Sequence, residues 1–313
     1  MLRPADPSLV RQLADELHIE HALAQVLAAR GFHRVAQAYA FLHPSRSQLH
    51  DPCLFKAMPV ALKRLKEALE KGEEVLLYGD YDVDGITSTS LLLEVFQRLG
   101  FKVSYYLPRR LEEGYGLSIP ALQSAHRQGV SLVVTVDCGS KDIEAVKTAN
   151  ELGLDIIITD HHRADEVLPP ALCILNPHVP GSGYPDTGLC GAGVAYKLAL
   201  ALTRELGGSE EDLENCLDLV ALGTVTDVVP MVGENRVLVH YGLQKLRQQC
   251  RVGIQALMEI SQTVQEKVGL REIAFQIGPR LNALGRLGDA QAAVRLLLTG
   301  QMEEALEIAR LMN

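Results

Sequence analysis

The sequence predicts an α/β protein: a parallel five-stranded sheet flanked by helices, with an N-terminal helical preface and a C-terminal helical extension. Three observations carry this. Short β-branched apolar runs recur between residues 73 and 175, helical patterns separate them, and helical patterns alone occupy both ends of the chain. Runs that are apolar throughout, rather than alternating, belong to strands covered on both faces, as in a parallel sheet.

Residues 8–42 read as short helices, with Ile19, Leu23, Val26 and Leu27 at helical spacing. His43-Pro44 breaks the pattern, and a looser stretch with prolines runs to Pro59. The apolar runs follow at 75–78, 102–106, 132–136, 156–159 and 173–175. Beyond Gly188 the pattern is helical over 194–206, 212–222, 236–249 and 291–313, interrupted by a polar loop at 278–286. Glu303, Glu304, Glu307 and Arg310 give the last pattern no capping signal, which reads as a chain cut before a further domain. The expected division is a helical segment over 1–50, an α/β domain over 51–230 and a helical extension and connector over 231–313.

Apolar residues at 47% and charged residues at 22% place the chain among globular rather than disordered proteins. A formal charge of −9 argues against a generally basic nucleic-acid binder, yet that sum includes any carboxylates that sit on cations, so partners must be judged from local patches. Cys53, Cys138, Cys173, Cys190, Cys216 and Cys250 form no C-x-x-C pair, against a structural zinc site or a disulfide-stapled secreted domain; a reducing cytoplasm is the expected compartment. The first residues hold no apolar signal core, and no segment approaches the roughly 18 apolar residues of a membrane span.

The acidic and histidine residues follow strand ends. Asp80, Asp82 and Asp84 come just after the first strand, Asp137 ends the third, and Asp160-His161-His162 ends the fourth. The carboxyl ends of strands line the ligand crevice of an open parallel sheet, so these segments are expected to meet there. Carboxylates at alternate positions repel one another unless a cation neutralises them. One Asp before a helix is a common cap, and a capping turn for a helix starting near Ile86 competes for this run; three alternating aspartates exceed what capping needs. A calcium loop fits less well, because the glutamate at its twelfth position and the flanking helix are missing. Adjacent histidines after an acidic residue point to a metal, with His161 ligating and His162 aimed elsewhere, towards a substrate phosphate.

Asp137 is either a cap for a helix from Lys141 or a metal bridge, and its place between the other two segments favours the bridge. Asp227, in the apolar stretch 221–230, is either a hydrogen-bonded core residue or a fourth ligand segment. Two divalent cations about 3.5–4 Å apart would lower the pKa of a shared water and clamp phosphoryl oxygens, the needs of phosphodiester hydrolysis. With imidazole among oxygen ligands, Mn2+ is preferred and Mg2+ is the alternative.

Seven ordered motifs sharpen this reading: 78–88, Glu113-Gly114-Tyr115-Gly116-Leu117, Val136-Asp137-Cys138-Gly139, Thr159-Asp160-His161-His162, 189–195, 223–230 and 278–286. On them the chain resembles the DHH phosphoesterase superfamily, on its bacterial single-strand-specific exonuclease branch, from about Pro52 to Leu298. The resemblance implies that 51–230 is a DHH catalytic domain in which Asp82 and Asp84 each hold one metal and Asp137 bridges them. His161 and Asp227 would complete the second site, Asp80 would ligate a metal or position one, and His162 would contact the scissile phosphate. Thr87 and Ser88, at a helix N-terminus, would add phosphate contacts. Arg110, Arg280, Asn282 and Arg286 would line a channel for the strand, and Tyr115 either stacks a base or belongs to the core.

The implied activity is 5′-to-3′ exonucleolytic, two-metal-ion hydrolysis of single-stranded DNA to 5′-mononucleotides in DNA repair and recombination. The implied protein is a cytoplasmic monomer, with a single-strand-binding protein and a helicase as candidate partners. The chain departs from the pattern in having no Gly-Gly-His motif and no segment matching the DHH-associated second domain or the nucleotide-binding barrel, the parts that close the groove and select the 5′ end. Two other readings compete. A small-substrate phosphodiesterase acting on pyrophosphate, cyclic dinucleotides or short oligonucleotides would carry a histidine where this chain has Tyr78. A non-catalytic replication scaffold of the same fold would have lost ligands, and here each expected ligand is present.

Overall fold

The computed structural model describes residues 5–110, 112–287 and 289–312, with the side chains of Arg286 and Leu287 outside that description. The apolar runs become β1 (Glu74–Gly79), β2 (Lys102–Tyr106), β3 (Val130–Val136), β4 (Asp155–Thr159) and β5 (Cys173–Leu175). The sheet order is β2-β1-β3-β4-β5 and every pairing is parallel, with Leu77 opposite both Tyr105 and Val134. The chain therefore begins mid-sheet, adds β2 on one side, then crosses to build the other. Connections leave β1 and β3 in opposite directions, which opens a crevice above their carboxyl ends.

Ahead of the sheet, α1 (Pro7–Leu17), α2 (His21–Ala29) and α3 (Val35–Leu42) close on a small core of Val10, Leu13, Ala24, Leu27 and Ala38. The proline-containing stretch ends in α4 (Met58–Lys71), a helix the sequence reading did not anticipate. The crossovers are α5 (Val83–Arg98), α6 (Ile119–Arg127) and α7 (Ile143–Glu151). Then come α8 (Gly191–Glu205), α9 (Glu211–Glu214), α10 (Leu217–Thr226), α11 (Gly233–Gln248), α12 (Val252–Ile260), α13 (Leu270–Glu272), α14 (Gly278–Leu287), α15 (Ala290–Leu298) and α16 (Met302–Arg310).

Alternation along the strands sorts the core. Val75, Leu77 and Val134 pack with α4, α5 and α8, while Leu76, Tyr78 and Val133 pack with α6 and α7 on the other face. The first cluster runs on without a break through Leu222, Leu238, Ile254, Ile277 and Leu296, so the C-terminal helices share the sheet's core. Each such side chain contributes about 1.5–3 kcal/mol when fully buried. Lys197 on α8 and Glu234 on α11 form a buried ion pair at 2.5 Å, and Lys197 Nζ also donates to the His50 carbonyl at 2.8 Å, tying the N-terminal segment to both helices.

Three expectations are corrected. Residues 278–286 are helical rather than a loop: the helical run continues without a break from the π-helical turn Ile273–Ile277 into α14, and Pro279 falls just past that join. The pattern over 291–313 is two helices, α15 and α16, broken at Thr299-Gly300-Gln301. Helix α5 begins at Val83 rather than near Ile86, because Asp82 is its cap and its Oδ1 accepts from the Gly85 N–H at 3.0 Å. All six cysteines are free. Among the described residues, no helix is long and apolar enough to cross a membrane.

Candidate metal centre

Four chain segments converge over the crevice. Asp80 leaves β1, Asp137 leaves β3, Asp160-His161-His162 leaves β4, and Asp227 ends α10. Asp82 and Asp84 arrive from the start of α5.

The start of α8 anchors this group. Asp84 is buried, and its carboxylate accepts from the backbone N–H of Gly191 at 2.6 Å and of Ala192 at 2.9 Å, donors that the first turn of a helix cannot use internally. A Cβ at Gly191 would lie 2.6 Å from Asp137 Oδ1, so a glycine is needed for α8 to begin this close to the second carboxylate. Asp137 itself takes the left-handed backbone, φ 64°, while its N–H donates to the Thr159 carbonyl at 2.9 Å.

Asp160 sorts the two histidines. Its Oδ1 accepts from the His161 N–H at 2.7 Å, the His162 N–H at 3.1 Å and His162 Nδ1 at 2.8 Å, while Oδ2 accepts from the Ser140 N–H at 3.0 Å. Burial alone would raise its pKa, but the hydrogen bond and charge of His162, with these backbone donors, hold Asp160 below the ordinary carboxylate range. His161 is turned inward: its Nε2 stands 3.1 Å from Asp137 Oδ1, 3.6 Å from Asp227 Oδ2 and 3.8 Å from Asp84 Oδ2. His162 lies half-exposed at the rim, with the Tyr115 hydroxyl 3.0 Å from its Nδ1.

The electrostatics are those of crowded, uncompensated carboxylates. Burial first, then Asp82, raises Asp80 to about 7; burial, Asp227 and Asp82 raise Asp84 to about 8. Burial and Asp82 raise Asp227 to about 6, and burial with Asp84 carries Asp137 well above its usual range. His161 is pushed down to about 4 by burial and by His162. Asp80 Oδ1, Asp137 Oδ1, His161 Nε2 and Asp227 Oδ2 are buried without hydrogen-bond partners. Buried acceptors that converge without donors are costly on their own and are completed by a cation. The donors fall into three sets, each with ligand atoms within 4.8 Å of one another: Asp80-Asp82-Asp137, Asp84-His161-Asp227 and Asp137-His161-His162. Asp137 belongs to two of them. Oxygen-rich sets with one imidazole fit hard or borderline divalent cations.

The other expected residues are placed as follows. Thr87 and Ser88 are fully buried inside α5, and the Thr87 hydroxyl donates to the Val83 carbonyl at 2.8 Å, so their expected phosphate contact is corrected: the helix starts too early to leave them at its end. The Arg110 guanidinium lies 5.4 Å above the Tyr81 ring. Tyr115 is 48% exposed, which removes the core alternative. Asn282 lines a cavity of about 550 Å³ together with Asp82, Asp84 and Asp227. Arg280 Nη1 donates to the Gln276 carbonyl at 2.8 Å. Arg286 lies in α14, and its side chain is outside the described part.

Sequence reasoning read Asp160 only as part of the run that carries the histidines, and gave no role to the Gly191 and Ala192 amides or to the Tyr78 hydroxyl. The Tyr78 hydroxyl donates to the Gly116 carbonyl at 3.1 Å and accepts from the Ser118 N–H at 3.0 Å, bracing the loop that presents Tyr115. A small-residue run, Gly191-Ala192-Gly193, directly after a polar loop was the available signal for the α8 contact.

Residues 74–224 match the DHH family, N-terminal domain, and the chain belongs to the DHH family. Over nearly all its length it is similar to proteins named single-stranded-DNA-specific exonuclease RecJ. With that of Bacillus subtilis (strain 168) it is 41% identical over 304 residues, covering 97% of this chain and 38% of that one. With that of Thermus thermophilus it is 39% identical over 274 residues, covering 86% and 40%. The chain thus spans well under two thirds of the length of these relatives. Among solved structures, RecJ from Thermus thermophilus in complex with Mn2+ aligns with a TM-score of 0.84 at 31% identity, covering 99% of this chain and 44% of that one. Exonuclease RecJ bound to manganese aligns with a TM-score of 0.76 at 36% identity, covering 85% and 66%.

Proposed function

We propose that this chain carries the catalytic centre of a 5′-to-3′ exonuclease that hydrolyses single-stranded DNA to 5′-mononucleotides. Its cofactors would be two divalent cations, Mn2+ preferred and Mg2+ as the alternative. The observation that carries this reading is the set of buried, partnerless acceptors on Asp80, Asp137, His161 and Asp227, at the switch point of a sheet and beside a cavity of nucleotide size. Similarity to manganese-bound RecJ supports it.

Asp80, Asp82 and Asp137 would hold one cation, and Asp84, His161 and Asp227, with Asp137 shared, the other. Bound there, the cations supply a water that ionises near neutral pH and offset charge on the phosphoryl oxygens. The protein's own groups do the rest. A carboxylate 2.8 Å from His162 Nδ1 requires the ring to donate there, and the same contact raises the His162 pKa, so that the doubly protonated ring would have an Nε2–H to donate to a phosphate oxygen. With Nδ1 so committed, the Tyr115 hydroxyl turns its proton towards the Asp137 carbonyl, 3.4 Å away. Arg110, stacked on Tyr81 beside Asp80 and Asp82, would take a neighbouring phosphate, and Asn282 would donate to the strand from the far wall. Arg280 and Arg286, on or next to that wall, would add positive charge along the strand.

In this reading residues 51–230 form the catalytic unit, flanked by 1–50 and 231–313. The protein would work as a monomer in the cytoplasm, on strands freed by a helicase and held by a single-strand-binding protein, in repair and recombination. The test is hydrolysis of strands labelled at either end, in Mn2+. Early release of label as mononucleotide from the 5′ end alone, with duplex spared, is expected. Release from the 3′ end first, or equal attack on duplex, overturns the reading.

A further inference from the structure

The cavity beside the carboxylates has an apolar wall that the reaction leaves unexplained. Besides Asp82, Asp84 and Asp227 it is lined by Val228 and Phe275. Val228 is 85% exposed and Phe275 75% exposed, the two most exposed large apolar side chains among the described residues, and both face this one cavity. Scattered exposed apolar residues need no explanation, but two in one cleft beside a polar centre mark a binding surface.

Both are held out by unusual backbone. Val228 has φ 61°, the left-handed region that β-branched residues avoid, and it directly follows Asp227. Phe275 is the middle residue of a π-helical turn, Ile273–Ile277, a local widening that shifts side chains off the regular helix face and recurs at functional sites. Gly278 ends that turn. A Cβ there would lie 2.5 Å from Thr226 Cγ2, so its absence lets the turn rest against the end of α10 that carries Asp227 and Val228.

We propose that Phe275 and Val228 form a two-sided clamp for one nucleobase of the strand, next to the phosphate that faces the carboxylate cluster. The inference rests on the single-stranded-DNA reading above and names the residues that grip the base. A flat aromatic ring recognises any base by its face, without reading its edge, which suits an enzyme that must degrade every sequence. A clamp with an apolar group on each side accepts a base only when it is unstacked from both neighbours. A base within a duplex is not, so the same device discriminates against paired DNA.

The test uses the whole chain in Mn2+ with a mixed-sequence single strand, and with a series of strands in which one abasic residue is stepped inward from the 5′ end. Phe275→Ala is expected to weaken the strand by about 10-fold, mainly in KM. Phe275→Trp should restore the wild-type value. Val228→Gly, which accepts the left-handed backbone, should give a smaller loss in the same direction. At one abasic position the wild type should lose about as much as Phe275→Ala does, and Phe275→Ala should lose nothing further there. An unchanged Mn2+-induced rise in melting temperature in each variant reports an intact centre. If Phe275→Ala matches the wild type, or loses equally at every abasic position, the clamp is overturned and Phe275 belongs to a protein contact. If the wild type is inert on every strand, the nuclease reading itself falls, and the clamp with it.

Discussion

Nε2 of His161 stands 3.1 Å from Oδ1 of Asp137, and neither buried atom has a hydrogen-bond partner. With His161 pushed down to about 4, the imidazole is neutral at pH 7 and can offer a lone pair alongside the carboxylate. A cation between them turns this crowding into binding. Mn2+ at 100 times its dissociation constant is therefore expected to stabilise the fold by about 2.7 kcal/mol, seen in calorimetry as a higher Tm that EDTA reverses. Asp137→Asn should abolish that rise and the hydrolysis, while leaving the metal-free protein at least as stable as wild type, because the amide is neutral without the proton that burial and Asp84 force on Asp137. A wild-type rise in Asp137→Asn would remove Asp137 from the ligand set.

The metal-free protein should lose stability as pH rises. Asp227, Asp80 and Asp84 titrate at about 6, 7 and 8 in the fold against 3.8 for an ordinary aspartate. Their folded values are raised, so their contribution is full below pH 3.8 and disappears as pH climbs through those three values. Thermal melts in EDTA across this window should show a falling Tm, with a shallower fall in Asp84→Asn. Saturating Mn2+ should flatten or invert the slope, because it holds the ionised forms. A Tm that rises with pH in EDTA would contradict the account.

Asp160→Asn tests orientation without removing a proposed ligand. The amide cannot accept from three donors on one atom and from Ser140 on the other, so His162 should lose its fixed Nδ1 bond. Outer partners of this kind typically contribute 10–100-fold, and a drop of about that size in kcat is expected, with the Mn2+-induced Tm rise retained. A variant with wild-type kcat would mean that His162 needs no anchor.

Gly191→Ala puts a methyl group 2.6 Å from Asp137 Oδ1. Overpacking of this kind costs about 1–3 kcal/mol, and here the strain falls on a proposed ligand, so Mn2+ affinity should weaken along with stability. Isothermal titration with Mn2+ checks the first and urea unfolding the second; unaltered affinity would show that α8 can yield without moving the carboxylate.

Lys197→Met leaves Glu234 buried without its ammonium partner. Breaking such a pair costs about 3–5 kcal/mol, measurable by urea unfolding. Because Lys197 also holds the His50 carbonyl, limited proteolysis should cut first near residues 43–51. Cutting elsewhere at wild-type rates would disconnect the pair from the N-terminal segment.

The strands were legible because burial on both faces fills a run such as 132–136 with apolar and β-branched residues, and the residues after them were legible because strand ends are where such a sheet binds. Helix starts were harder to read. One aspartate acting as a cap moved α5 by three residues, and with it Thr87 and Ser88 from the surface into the core. Glycine and proline at 278–286 look like a loop in isolation, yet the helical run passes from Ile273–Ile277 across Pro279 into α14, and its glycines answer to close neighbours elsewhere in the chain. Phe275 has no signature at all: a phenylalanine that faces solvent and one that fills a core are the same letter until the backbone between Ile273 and Ile277 widens.

Asp82 closes the first turn of α5, and Asp84 receives the first two amides of α8, so two helices end with their amino termini on the same acidic floor. Each terminus carries about half a positive charge from its aligned peptide dipoles. The scaffold thus sets a standing positive field under the carboxylates before any ion arrives, which softens their mutual repulsion and lets them lie closer than side chains alone would permit. When the ions bind, that field remains, directed at the place where the negative charge of a phosphate would next come to rest.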